Sequence, residues 1–292
     1  MLAAASHHRA IRKRLAGRRA AGRADRRPVV PRLGPPVVVN YKGGIAVTKF
    51  NFNGWGNKQI HGNDGQIAER VAQRLGLPVF NTGLVGEAGW VETDGHGTLI
   101  AHESSFVNPN RNKGGKAEVE RLLMDTMGAQ KIIWAPGIKG ADITDYHIDA
   151  LARFVKPGQI AIQMGEEIDW RDPWSVAAFQ TPDILAAATD PQGRKMQLVV
   201  LPEPEEPRIK TDDFVSSFVN YYVCNGAVIA AEFGDEDADE EAEEILHTLY
   251  PGREVVMLKN RPGGRGRRRH SLRYARAAEG LNAWRCGARL AE

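Results

Sequence analysis

Sulfur is scarce in this chain. Only two cysteines, Cys224 and Cys286, occur in 292 residues. That number excludes a disulfide framework and a cysteine-rich zinc cluster. No apolar run approaches the ~18–20 residues that a membrane-spanning helix needs, so no membrane partner is expected. The first residues lack the uninterrupted apolar core of a secretory signal. Together these shortages predict a soluble, reduced, cytoplasmic protein. Lysine is nearly absent from both ends, and so is acidic charge. Residues 1–36 carry ten basic residues and one acid, and residues 261–292 carry nine arginines and two acids. The overall charge of +3 therefore hides an acidic body between two Arg-rich ends. Those ends also lack useful apolar periodicity, and disorder is the default expectation for them.

What the body does have is alternation. "VVVNYKGGIAVTKFNF" (37–52) has two β-rich runs around a Gly-Gly turn, which predicts a hairpin. "DGQIAERVAQRLGLP" (64–78) has apolar residues at helical spacing and stops at Gly76. A second hairpin is predicted over 90–104 and a second helix over 115–130, followed by a buried strand in "KIIWAPG". The segment 145–164 runs into strand, 172–190 is helical, and strands fall at 196–204 and 218–233. An acidic helix and a last strand fill 235–258. The repeating unit is strand–strand–helix–strand, returning about every 60 residues. Such repeats predict an α/β fold in two layers.

Polar residues that could carry chemistry cluster in two places. Asp142, Asp145, His147 and Asp149 crowd "DITDYHIDALARF". If 146–150 is extended, His147 and Asp149 share a face, and a carboxylate beside an imidazole can tune a general base or grip a cation. A solvated loop around a satisfied histidine accounts for the same pattern. In "GEAGWVETDGHG", Glu87 stands between glycines that permit close approach, but a hairpin edge with turn glycines reads the same way. "NPNRN" (108–112) reads as a structural turn, and "FNFNGWGNK" (50–58) as a packed loop around Trp55. Cys224 lies in an apolar strand with no basic neighbour in sequence, so an inert buried thiol is expected.

In order along the chain, "FNFNGWGNK", "GEAGWVETDGHGTLIAHESSFVNPNRN", "KIIWAPG", "DITDYHIDALARFVKPG" and "NYYVCNGAVI…FGD…YPGREVV" resemble the agmatine deiminase family. That family is similar to the bacterial-type peptidylarginine deiminases. The resemblance spans roughly residues 36–258. It implies a pentein-like, five-bladed α/β propeller of pseudo-fivefold ββαβ repeats, with incomplete first and last blades. A deiminase-type domain would occupy 37–260, between tails 1–36 and 261–292 that depart from the family. The implied reaction hydrolyses the guanidine of agmatine to N-carbamoylputrescine and ammonia, in putrescine biosynthesis. A cysteine thiolate attacks the guanidinium carbon, without metal or cofactor. On this chain the resemblance makes His147 the acid/base, Glu87 its orienter and Asp149 a clamp on the guanidinium. Asp142 or Asp145 would line the pocket. Ala88 stands where the family has glycine. Tyr146 stands where it has a small residue, and could narrow access. A homo-oligomer is compatible with all of this. Peptidylarginine as substrate is the alternative within the class. A non-catalytic protein with Arg-rich arms is the alternative outside it, although no aromatic interleaving supports nucleic acid as a partner.

Two family motifs are missing. One resembles D-D-x-W-x-R-D-x-G-P and supplies a second clamp carboxylate. The other resembles G-G-G-x-H-C and supplies the nucleophile. Their places hold "RRPVVPRLGP" (26–35) and "GRRRHSLRY" (266–274). Permissible codons for residues 267–274, read one nucleotide later, give Gly-Gly-Gly-Ile-His-Cys-Ala-Thr. The same shift across residues 29–35 gives Trp-Ser-Arg-Asp-Ser-Gly-Pro. Both ends are therefore expected to be out-of-frame readings of a GC-rich gene. No nucleophile stands in its expected place, and the chain as written should be impaired or inactive.

Overall fold

The computed structural model describes residues 34–259, apart from 41, 212 and 213. The two Arg-rich ends, including Cys286 and both missing-motif positions apart from 34 and 35, lie outside the described residues.

Four copies of one unit follow each other. The first joins β1 (Val37–Val39) and β2 (Ile45–Thr48) as an antiparallel hairpin, then α1 (Ile67–Leu75), then β3 (Val79–Phe80) parallel to β2. The second contains β4 (Val91–Thr93), β5 (Thr98–His102), α2 (Lys116–Met127) and β6 (Lys131–Ala135). The third contains β7 (Ala152–Lys156), β8 (Gln159–Met164), α3 (Pro173–Ala187) and β9 (Gln197–Pro202). The fourth contains β10 (Tyr222–Cys224), β11 (Ala227–Glu232), α4 (Glu236–Leu249) and β12 (Glu254–Lys259). Each sheet has three strands, with the hairpin antiparallel and the last strand parallel to the middle one. The α/β repeat read from the sequence is thus present four times among the described residues.

Local chemistry explains the boundaries. Gly76 and Gly128 end α1 and α2 in the left-handed conformation that costs other residues a steric penalty. Asp172 caps α3 by accepting from the amides of Trp174 and Ser175, with Pro173 at the first helical position where its missing N–H does no harm. Asp235 caps α4 through the amide of Ala238, and three acids in the first turn suit the positive end of the helix dipole.

Burial is uneven between the units. The second, third and fourth are built on fully buried residues such as Leu99, Leu123, Ile160, Leu185, Val228 and Leu246. The first rests on Val47, Ala68 and Ala72, and leaves Val37, Val39, Val79 and Phe80 exposed on its outer strands. Its buried cluster is the smallest of the four among the described residues.

Candidate active site

The candidate side chains come from the starts of two units. Glu87 ends the segment leading into β4, and His147 and Asp149 lie just before β7. The 146–150 segment is not extended, as the alternation argument required. Residues Ile148–Ala150 form one 3-10 turn, and His147 is its extended entry residue. This turn, not a strand pleat, brings Asp149 back toward His147. Two such turns face each other, because Ala88–Trp90 forms the matching one in the second unit.

Glu87 and His147 are both buried and 60 positions apart. The imidazole Nε2 lies 3.1 Å from Glu87 Oε2, within hydrogen-bonding distance. On the other side of the ring, Nδ1 is 3.9 Å from Asp149 Oδ1. Asp149 is the more accessible carboxylate, with 16% of its side chain exposed against 1% for Glu87. The order Glu87–His147–Asp149 therefore runs from buried to open. Burial pushes the Glu87 carboxyl well above its ordinary value, Arg111 opposes that push and Asp145 adds to it. A small pocket, partly open to solvent, is lined by Phe50, Phe52, Asp64, Glu87 and Ala88.

The loop before His147 is held in an unusual shape. Asp145 and Tyr146 both have positive φ, 59° and 71°. L-residues adopt that region at a cost, so the surroundings must fix it. Ser104 Oγ donates to the Asp145 carbonyl at 2.7 Å, and Ser105 Oγ and His102 Nδ1 donate to the Tyr146 carbonyl at 2.7 and 3.0 Å. Asp142 is spent inside the loop, accepting from the amides of Thr144 and Tyr146. Asp145 accepts from the Gly140 amide at 2.8 Å, from Lys58 Nζ at 3.0 Å and from Arg111 Nη1. Burial raises the Asp145 carboxyl, but these donors outweigh it and hold the group below its ordinary range. The Tyr146 ring does not turn toward His147. It stacks on His102, with centroids 4.2 Å apart, and meets Trp174 edge-on at 4.5 Å. It is core rather than a pocket wall, which corrects the expectation that it narrows access.

Several residues that matter here were read from sequence as plain loop. Arg111, in "NPNRN", is fully buried, stacks over Trp90 at 4.3 Å and lies between Glu87 and Asp145. Lys58, in "FNFNGWGNK", reaches Asp145 and two carbonyls of the same loop. Gly89 leaves room for His147 itself. Only three-dimensional proximity reveals these roles; the one sequence signal was that each stands in a quoted motif.

Cys224 is the one described cysteine. It sits at the β10–β11 turn, where its Sγ donates to the Ala227 carbonyl at 3.5 Å. Among the described residues no cluster of metal-ligating side chains occurs, and no helix is long and apolar enough to cross a membrane.

With this geometry established, comparison with known proteins decides the family. Residues 32–266 match the Porphyromonas-type peptidyl-arginine deiminases. The chain belongs to that family. Within it, a Selenomonas ruminantium protein provisionally named agmatine deiminase is 33% identical over 252 residues, covering 77% of this chain and 67% of that one. The agmatine deiminase of Medicago truncatula is 30% identical, over 74% of this chain and 64% of its own length. Among solved structures, the agmatine deiminase of Enterococcus faecalis superposes with a TM-score of 0.71 at 27% identity, over 79% of this chain and 69% of that one. The family match reaches only one residue short of the "RRRHSLRY" stretch.

Proposed function

We propose that this chain is an agmatine deiminase by descent, with a guanidinium-binding site built on Glu87, His147 and Asp149. The observation that carries this is the convergence of those three side chains from segments 60 residues apart, in a chain whose relatives bear that name. A planar guanidinium is recognised by carboxylates that accept two parallel N–H bonds, and Asp149 is the more accessible carboxylate of the pair beside His147. His147 would protonate the departing ammonia and then activate water. Glu87 would hold the Nε2 proton so that Nδ1 faces the chemistry. Asp145 and Asp142 act one layer out, as supports of the loop that carries His147.

The four observed units are what supports reading the fold as a five-bladed propeller with incomplete first and last blades. The domain would span 37–260, in a cytoplasmic protein that needs no membrane. Homo-oligomers remain compatible with it. The covalent route requires a thiolate near the guanidinium carbon. Cys224 is engaged within its own hairpin, "GRRRHSLRY" supplies no thiol, and Cys286 follows Trp284 outside any glycine-rich motif. The chain as written would therefore bind agmatine but not turn it over, since losing a nucleophile removes the route altogether. Calorimetry with agmatine, and with putrescine as the guanidine-free control, tests binding. Ammonia release tests turnover. Binding of agmatine alone is the expected result. Equal binding of putrescine would refute the guanidinium site, and robust ammonia release would refute the loss of catalysis. Sequencing the gene across both ends decides whether a neighbouring frame encodes the two missing motifs.

A further inference from the structure

We infer that Arg111 is a positioning residue: its buried guanidinium is the strut that sets the Glu87–His147 pair. The inference deepens the deiminase reading and rests on it for the meaning of that pair.

The fork of Arg111 reaches in three directions. Nη1 donates to Asp145 and to Asn110 Oδ1, the latter at 2.9 Å. Nη2 donates to the Thr144 carbonyl at 3.2 Å. Nε points to Glu87 Oε1 across 3.7 Å. That last pair is the informative one. Both atoms are fully buried, and neither has a hydrogen bond among the described residues. A buried donor and a buried acceptor left without bonds are costly, and here each is the other's neighbour. The ring face of Trp90 lies under the guanidinium at 4.3 Å, and the same Trp90 meets His147 edge-on at 5.7 Å. Arg111 thus touches the carboxylate, the loop that ends in the imidazole, and the aromatic floor beneath both.

Charge points the same way. Glu87 is faced by Arg111 on one oxygen and His147 on the other, with Asp145 and Lys58 behind the arginine and Asp149 beyond the ring. Arg111 is the cation nearest Glu87. It opposes the burial that raises the Glu87 carboxyl, and so favours an Oε2 that accepts the proton on Nε2 and leaves Nδ1 toward Asp149. A lysine would supply the charge but could not reach the carboxylate and the loop together.

The test is the ¹⁵N–¹H signature of His147 in histidine-labelled full-length protein. In the parent, His147 should carry its proton on Nε2, in slow exchange. Arg111→Met should abolish that protected signal and shift the neutral ring toward the Nδ1–H tautomer. Arg111→Lys should restore it only in part. Lys58→Met loosens the same loop, makes no direct contact with Glu87 and removes only a minor, more distant charge, so it should leave the signal in place, which a purely structural role for Arg111 would not allow. Agmatine affinity should fall at least tenfold in Arg111→Met. Should that variant fail to fold, Asp145→Asn releases the fork from its other end and should weaken the same signal. An unchanged Nε2–H signal in a folded Arg111→Met or Asp145→Asn protein overturns the inference, as does equal loss in Lys58→Met. Absence of agmatine binding in the parent counts against the deiminase reading alone, because the imidazole signal needs no ligand.

Discussion

Gly89 stands so close to His147 that a Cβ added to it would lie 2.7 Å from the ring Nδ1 and 2.9 Å from Asp149 Oδ2. Its backbone is otherwise ordinary, so the glycine serves space and not φ. Gly89→Ala should therefore displace the imidazole and the carboxylate rather than strain the turn. Overpacking of this kind costs about 1–3 kcal/mol. Agmatine affinity should drop at least tenfold by calorimetry, and the same methyl should perturb the His147 imidazole resonances. Affinity within twofold of the parent would show that the ring has room to spare.

Asp149→Asn keeps the shape of the side chain and removes its charge. Hydrogen bonds to charged groups contribute about 1.5–3 kcal/mol, so agmatine affinity should fall roughly 10- to 100-fold. Because Asp149 is the accessible member of the trio, thermal stability should change little. The affinity lost should depend only weakly on salt, since this carboxylate is largely buried. Unchanged affinity in Asp149→Asn would remove it as the clamp.

Tyr146→Gly sets two effects against each other. Glycine at φ 71° relieves a left-handed conformation that costs a larger residue about 1–2 kcal/mol. It also deletes a buried ring packed on His102 and Trp174, a loss on the order of 3–5 kcal/mol. Burial wins, and the variant should be less stable by about 1–4 kcal/mol in urea unfolding. A stabilised Tyr146→Gly protein would mean that strain dominates at this position.

The sequence carried the architecture because its repeats obey local rules. Gly76 marks a helix end, and the Gly-Gly turn at 43–44 and the turn of residues 94–97 mark hairpins, while the helix read over 115–130 in fact stops before Gly128. Glu87, His147 and Asp149 were picked out by their motifs and do lie together, although the condition of an extended 146–150 does not hold: a 3-10 turn has no two-residue period. Arg111 and Lys58 were not legible. A basic residue in a polar turn is solvated in most proteins, and only packing against Glu87 and the 140–146 loop gives these two another role. Tyr146 misled for a related reason. Its position beside His147 suggested a gate, while its positive φ sends the ring into the core.

Two buried groups with opposite shifts give the last prediction. Burial pushes Glu92 up to about 7, opposed by Arg153 at 3.8 Å and reinforced by Asp149. Burial pushes His102 down to about 4, only partly offset by the hydrogen bond with the Tyr146 carbonyl. For Glu92 the folded state holds its proton when the unfolded chain has released it, so its contribution is lost as pH rises from 4.5 toward 7. For His102 the folded state refuses a proton that the unfolded chain accepts, so its contribution is lost as pH falls from 6.5 toward 4. Each amounts to about 3 kcal/mol at most, from 1.36 kcal/mol per pH unit, and Glu92 less because part of it meets solvent. In the parent the two slopes oppose each other between pH 4.5 and 6.5. Glu92→Gln should unmask the histidine, making stability climb more steeply with pH than in the parent across that window. His102→Asn should do the reverse. Urea unfolding at pH 4.5, 5.5 and 6.5 checks both, and the difference in slope from the parent is the readout, since Asp145 and Glu87 contribute equally to all three proteins. Parallel pH curves for Glu92→Gln and the parent would show that Glu92 titrates near its ordinary value, and that water reaches it despite its place behind Asp149.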